Sequence, residues 1–308
     1  MSEHLYTVFG GALRSEVPFD DLPSSTSAVA DWTLRETEGF DGFSGEQLGE
    51  DVVYGTTLVR GYRTVGGFAL DFDDTGRFEV SSDGSTIMWH RPADAILDAA
   101  RADITSRVLA LALHARGVFT LHASAVSLPS GGGITFMAPK HHGKSTLCSA
   151  LVLAGARALS DDTVPVRPGN PPLISPGLPR LRLWSDAAAR LFGVEANEEG
   201  ITKRLMDQLD DSQIETRSIP YSAAYVLSPV TELPDGAAVA RVLLDPVSAT
   251  IALLAHSKLG PVLSGSESPT MLALASETAR SVPVYELRVV RDLDRIQEVA
   301  RTIMDWHP

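Results

Sequence analysis

The chain has 308 residues, 44% apolar and 21% charged, which is ample for one large or two modest domains and ordinary for a folded protein. Its 26 basic and 39 acidic side chains give a formal net charge of −13, which argues against a general nucleic-acid or anionic-membrane binder, because such proteins need a surplus of Lys and Arg. The single cysteine, Cys148, excludes an intramolecular disulfide and a cysteine-rich zinc site.

From the N-terminus the chain reads as β-rich. The opening stretch predicts a strand and is too polar for a signal peptide. Short runs with β-branched and aromatic residues follow at 59–62, 67–72, 77–80 and 86–90. Asp73-Asp74-Thr75-Gly76 and Ser82-Asp83-Gly84 separate them, and Asp-Gly tolerates the positive φ of a hairpin turn. Residues 24–28 and 40–50 read as loops. Over 94–115 the apolar period becomes helical, with Ile96, Ile104, Val108, Leu111 and Ala112 on the repeat, and Gly117 is placed to stop the helix. The boundary between an N-terminal β-rich domain, 1–116, and a second domain, 117–308, falls here.

Beyond it strand and helix alternate. Residues 118–126 and 133–138 predict strands, 144–154 a helix and 156–159 a strand; 167–179, rich in Pro and Gly, is a surface connection. Helices are predicted at 186–191 and 203–209, strands at 224–227, 239–244 and 284–289, and helices at 269–280 and 293–304. No run approaches the ~18 apolar residues of a membrane span, so a soluble, cytoplasmic protein is expected. Trp32, Trp89, Trp184 and Trp306 read as core or interface anchors, Cys148 as a small buried hydrophobe and 207–211 as a solvated acidic segment.

Three elements carry chemistry. Ala138-Pro139-Lys140-His141-His142-Gly143-Lys144-Ser145 is a phosphate-binding loop of the form G-x-x-x-x-G-K-[ST] in which Ala138 replaces the first glycine. An apolar strand enters it and a helix leaves it, so backbone amides and the helix N-terminus are placed to wrap phosphate oxygens. Lys144 would reach the terminal phosphates and Ser145 would ligate Mg²⁺; the predicted nucleotide-binding set runs from Ala138 through Thr146, with His141 and His142 read as exposed. Ser160-Asp161-Asp162 ends the strand after the loop helix, which brings both carboxylates to the carboxyl end of the sheet. One of a pair beside a triphosphate can hold Mg²⁺, the other can accept a proton from an attacking hydroxyl. His122 lies within the apolar strand segment Leu121-His122-Ala123-Ser124-Ala125-Val126.

In their order, and in the spacing from the loop lysine to Asp-Asp, these elements resemble the HPr kinase/phosphorylase superfamily. The match is closest to its shorter relatives from peptide natural-product clusters, including the lasso-peptide serine kinases. It is strongest from Leu121 to Val164, with weaker landmarks at residues 9–23, 179–184 and 282–287. The resemblance implies an α/β fold: a phosphate-loop kinase-type mixed sheet, similar to the HPr kinase C-terminal domain and to phosphoenolpyruvate carboxykinase, preceded by a β-rich N-terminal domain. It implies ATP and Mg²⁺ as cofactors, Lys144 as the phosphate-binding lysine, Ser145 and Asp161 as metal ligands, Asp162 as acceptor of the serine proton, and His122 as the assisting histidine. For the family's second magnesium carboxylate Asp186 is the candidate; for its later arginine Arg182, Lys203 and Arg204 are. The implied activity is phosphorylation of a serine hydroxyl on a peptide or small protein. A small-molecule kinase and a non-catalytic nucleotide-binding scaffold are the alternatives. Homo-oligomerisation is a further implication, since HPr-type relatives form rings; nucleic-acid and membrane partners are not expected.

Overall fold

The computed structural model describes residues 3–38, 42, 45–140, 142–178, 181–183, 185–193, 204–206 and 209–308, with backbone alone at 181, 182, 185, 186 and 204–206. The chain divides into two compact units: Met1–Thr120 with Ser257–Ala275, and Leu121–His256 with Ser276–Pro308. The linear reading puts its division at 116/117. That the first unit also takes in Ser257–Ala275 is a return no composition signal marks.

The first unit is built on an eight-stranded sheet: β1 (His4–Val8), β2 (Gly11–Ser15), β3 (Trp32–Glu38), β4 (Gly45–Val53), β5 (Thr57–Thr64), β6 (Gly67–Phe72), β7 (Gly76–Ser81) and β8 (Thr86–Arg91). Its order is β1-β2-β3-β8-β7-β6-β5-β4, with β3 parallel to both β2 and β8 and the other neighbours antiparallel. The predicted Asp-Gly hairpin is present between β7 and β8, with Gly84 at φ +65°. Alternation buries Trp32, Leu34, Leu70, Phe72, Phe78, Ile87 and Trp89, and Phe78 stacks on Trp89 at 5.6 Å. One expected loop is a strand: β4 occupies part of 40–50, and its bulge between Gln47 and Gly49 masks the alternation. Helices α1 (Leu97–Asp103) and α2 (Leu109–Ala115) are joined by a π-helical turn, Ile104–Val108.

The second unit carries an α/β mixed sheet. After β9 (Phe119–Leu121) come β10 (Ala123–Ser127), β11 (Gly133–Met137), α3 (Lys144–Leu153), β12 (Arg157–Asp161), β13 (Val164–Arg167) and β14 (Leu173–Ile174). Next are β15 (Leu181–Leu183), α4 (Ser185–Phe192), β16 (Arg204–Met206), β17 (Ile219–Val230), β18 (Val239–Leu243), α5 (Pro246–Ala255), α6 (Ser268–Ser281), whose first eight residues belong to the first unit, β19 (Val284–Val290) and α7 (Ile296–Asp305). β10 is antiparallel to β11 and β12, whereas β11 and β19 each run parallel to β17. The helix expected over 203–209 is corrected at 204–206, where the backbone is a strand paired with β15. The rest of that segment, with Lys203, lies mostly outside the described residues.

Helix α3 is the element that positions the site. Leu147, Cys148, Ala150, Leu151 and Val152 are buried against Phe136, Ala158 and Ala300. Burying such side chains contributes roughly 1.5–3 kcal/mol for each large one. The helix starts from Gly143 at φ +87° and stops at Gly155, φ +108°. There the amide of Gly155 donates to Val152 and that of Ala156 to Leu151, each at 3.0 Å, closing the last turn.

Candidate functional site

Strand register gathers the candidate residues. Ala123 pairs with Met137, and Ser124 with both Phe136 and Asp161. Because β10 runs antiparallel to β11, its start lies beside the end of β11, where the phosphate loop leaves the sheet. β12 ends at the same place with Asp161. His122, Ser124, the loop and both carboxylates therefore share one end of the sheet, the arrangement expected of a ligand site at strand termini.

The loop is closed on itself. Ala138 is fully buried in the apolar cluster with Phe136, Leu147 and Cys148, so its methyl group fills core. Lys144 Nζ donates to the carbonyl of Ala138 at 2.7 Å and to that of Pro139 at 3.4 Å. His142 Nδ1 lies 2.9 Å from the carbonyl of Lys140. A carbonyl only accepts, so Nδ1 carries the proton. Pro139, Lys140, His142 and Gly143 are exposed, and Thr146 is half-buried. His141 lies outside the described residues. No described side chain caps the N-terminus of α3, which leaves its first amides for an anion.

Asp161 is half-buried and receives hydroxyls from two sides. Ser124 Oγ donates at 2.5 Å, and Ser145 Oγ lies 3.0 and 3.1 Å from the two carboxylate oxygens. These hard oxygen donors fit a magnesium ion, which takes one or two protein ligands and completes its shell with water and phosphate. The uncapped amides and Lys144 fit a polyphosphate. Beneath them Cys148 is fully buried; burial and then the Asp161 charge push its thiol well above the ordinary range, as a structural cysteine requires.

Asp162 is placed differently. Its side chain is half exposed, and its carboxylate lies 3.1 Å from His122 Nδ1. The same Nδ1 is 3.2 Å from the carbonyl of Asp162. That acceptor assigns a proton to Nδ1. Asp162 itself stands at φ +86°.

The structure also brings in two residues that the sequence did not single out. Ser124 is the closest hydroxyl to Asp161. His256, just past α5, accepts the His122 amide on its carbonyl at 2.8 Å. Burial, then the charges of Lys144 and His122, bring its pKa down to about 4. It therefore adds no positive charge at neutral pH. A serine in a strand and a histidine far downstream carry no spacing signal. The side chains of Arg182, Asp186 and Arg204 lie outside the described residues, as does all of Lys203.

No protein-family model matches the chain. No curated protein matches it either. Among solved structures, that of the Hpr(Ser) kinase/phosphatase from Coxiella burnetii is similar at 12% identity and a TM-score of 0.35, covering 61% of this chain and 95% of that one. The likeness is remote. Among the described residues no helix is long and apolar enough to cross a membrane.

Proposed function

We propose that the protein is an ATP- and Mg²⁺-dependent kinase that transfers the γ-phosphoryl group to a serine hydroxyl of a peptide or small protein. The observation that carries this reading is the meeting, at one sheet end, of an uncapped loop-helix N-terminus, the Ser124–Asp161–Ser145 hydroxyl–carboxylate cluster and the exposed Asp162–His122 pair.

In this reading the two carboxylates divide the work. Asp161, with Ser145, would hold the metal, which when bound neutralises phosphate charge. Lys144 would exchange its loop carbonyls for phosphate oxygens, adding to the amides of α3. Asp162, half exposed, would take the proton as the serine oxygen forms its bond to the γ-phosphorus and the bond to the β-phosphate oxygen breaks. His122, donating through Nδ1, would orient that carboxylate. The exposure of Asp162 suits an acceptor presented on a larger chain.

Mass spectrometry of acceptors incubated with Mg·ATP tests the reading. The acceptors are the short peptide encoded nearest the gene, a pool of serine-containing peptides and free serine. One added phosphoryl group on a peptide, lost in Lys144→Ala and reduced at least 100-fold in Asp162→Asn, is the expected result. Modification of free serine alone would point to a small-molecule kinase. ATP binding without turnover on any acceptor would leave a nucleotide-binding scaffold.

A further inference from the structure

Asp162 is one of four non-glycine residues at positive φ among those described, with Phe9, Tyr54 and Asp235. An L-residue in that region is strained and persists where its surroundings over-determine it. Around Asp162 they do so from three directions. Ser160, buried at the end of β12, donates its hydroxyl to the carbonyl of Thr163 at 2.5 Å and closes a ring over the two aspartates. His122 Nδ1 holds the carbonyl of Asp162. Gly177, after β14, donates its amide to the carbonyl of Leu159 at 2.9 Å and lies directly on the ring.

The fit at Gly177 is close. A Cβ built there would stand 1.9 Å from Ser160 Oγ, 2.8 Å from Ser160 Cβ and 3.0 Å from the Thr163 carbonyl oxygen. Its own φ lies outside the left-handed region, so space rather than conformation selects glycine. Consecutive strand residues project to opposite faces. Here the strand ends at Asp161 and the left-handed step follows at once, so the neighbouring carboxylates take different partners.

We propose that Ser160 and Gly177 are positioning residues for Asp162: the Ser160–Thr163 hydrogen bond, roofed by the Gly177 backbone, sets the turn that delivers Asp162 to His122, while Asp161 is held by its own pairing in β12. The catalytic part of this inference rests on the reading of Asp162 as proton acceptor. The geometric part does not.

Ser160→Ala is the principal test, since it removes only the hydroxyl that closes the ring. A displacement of about 1 Å can cost 100-fold, so kcat is expected to fall about 10- to 100-fold. KM for Mg·ATP should stay within about twofold, because no loop contact changes. Gly177→Ala should show the same split, with lower thermal stability. A Ser160→Ala variant with kcat within about twofold of wild type, or with kcat and KM lost in parallel, overturns the proposal. If the wild type transfers phosphate to no acceptor, the functional reading fails by itself. The turn is then judged by the ¹⁵N resonance of His122 Nδ1. It should move in Ser160→Ala in the same sense as in Asp162→Asn; movement in Asp162→Asn alone sinks the inference.

Discussion

Asp161 and Asp162 are adjacent in sequence and opposite in circumstance. The first is half-buried and accepts two hydroxyls; the second is exposed, left-handed and beside the His122 imidazole. The conformational cost at Asp162 can be measured apart from chemistry by comparing Asp162→Gly with Asp162→Ala. Both remove the carboxylate and both should abolish transfer. Glycine accepts positive φ and alanine does not, so Asp162→Gly should be the more stable by about 1 kcal/mol. Urea midpoints decide it; equal midpoints would mean that the turn relaxes when the carboxylate goes. At this scale the sequence is legible where residue type and spacing are tied together by mechanism. Lys144, Ser145, Asp161 and Asp162 follow from the loop and its strand, and the structure gathers them with His122. Ser124, Gly177 and His256, and the turn-closing role of Ser160, are not legible in the sequence as parts of the candidate site. Their placement depends on strand register and on a connection crossing the end of β12, and neither leaves a local pattern.

Elements were legible where one local rule dominates and obscure where a distant partner intervenes. The loop helix and the Asp-Gly hairpin obey local rules. The single strand expected over 118–126 breaks at His122 because its amide is taken by the carbonyl of His256 instead of a ladder neighbour. The single helix expected over 94–115 likewise contains a π-helical turn, next to a buried carboxylate at the end of α1. Asp103 is 1% exposed and accepts from Thr75 Oγ at 2.7 Å. Burial, with the nearby Asp74 charge adding and the Thr75 hydrogen bond opposing, raises its pKa to about 6. The folded state thus binds the proton more tightly than the unfolded chain. This contribution to stability is complete below about pH 4 and is lost as pH rises through about 6, a swing of at most roughly 3 kcal/mol. Asp103→Asn removes that titration. Measured by urea unfolding, the variant should gain on the wild type between pH 4 and pH 7, other carboxylates cancelling in the difference. A difference that does not change with pH would show that Asp103 is ionised throughout.

On the scale of the whole molecule, the first unit is discontinuous in sequence. Within it, Ser257–Ala275 lies on the sheet so closely that a Cβ on Gly49 would stand 2.3 Å from the carbonyl oxygen of Pro261, and one on Gly61 2.1 Å from that of Val262. Glu267, 3% exposed, pairs with Arg63 and lies 2.9 Å from His114 Nε2. Burial, then the Arg63 charge, holds the His114 pKa at about 4, so at neutral pH a neutral imidazole donates to a carboxylate already balanced by arginine. Leu259, Val262 and Leu263 are at most 2% exposed. Burying three such side chains contributes roughly 5–9 kcal/mol, which rivals the 5–15 kcal/mol that stabilises a typical domain. A fragment of residues 1–120 should therefore not melt cooperatively and should bind a hydrophobic dye, although every strand of its sheet is present. Joining 257–275 to it through a flexible linker should restore a cooperative circular-dichroism transition. A sharp melt of 1–120 alone would show that the sheet and its helices suffice. The returning segment would then be packing on a unit already folded rather than completing its core.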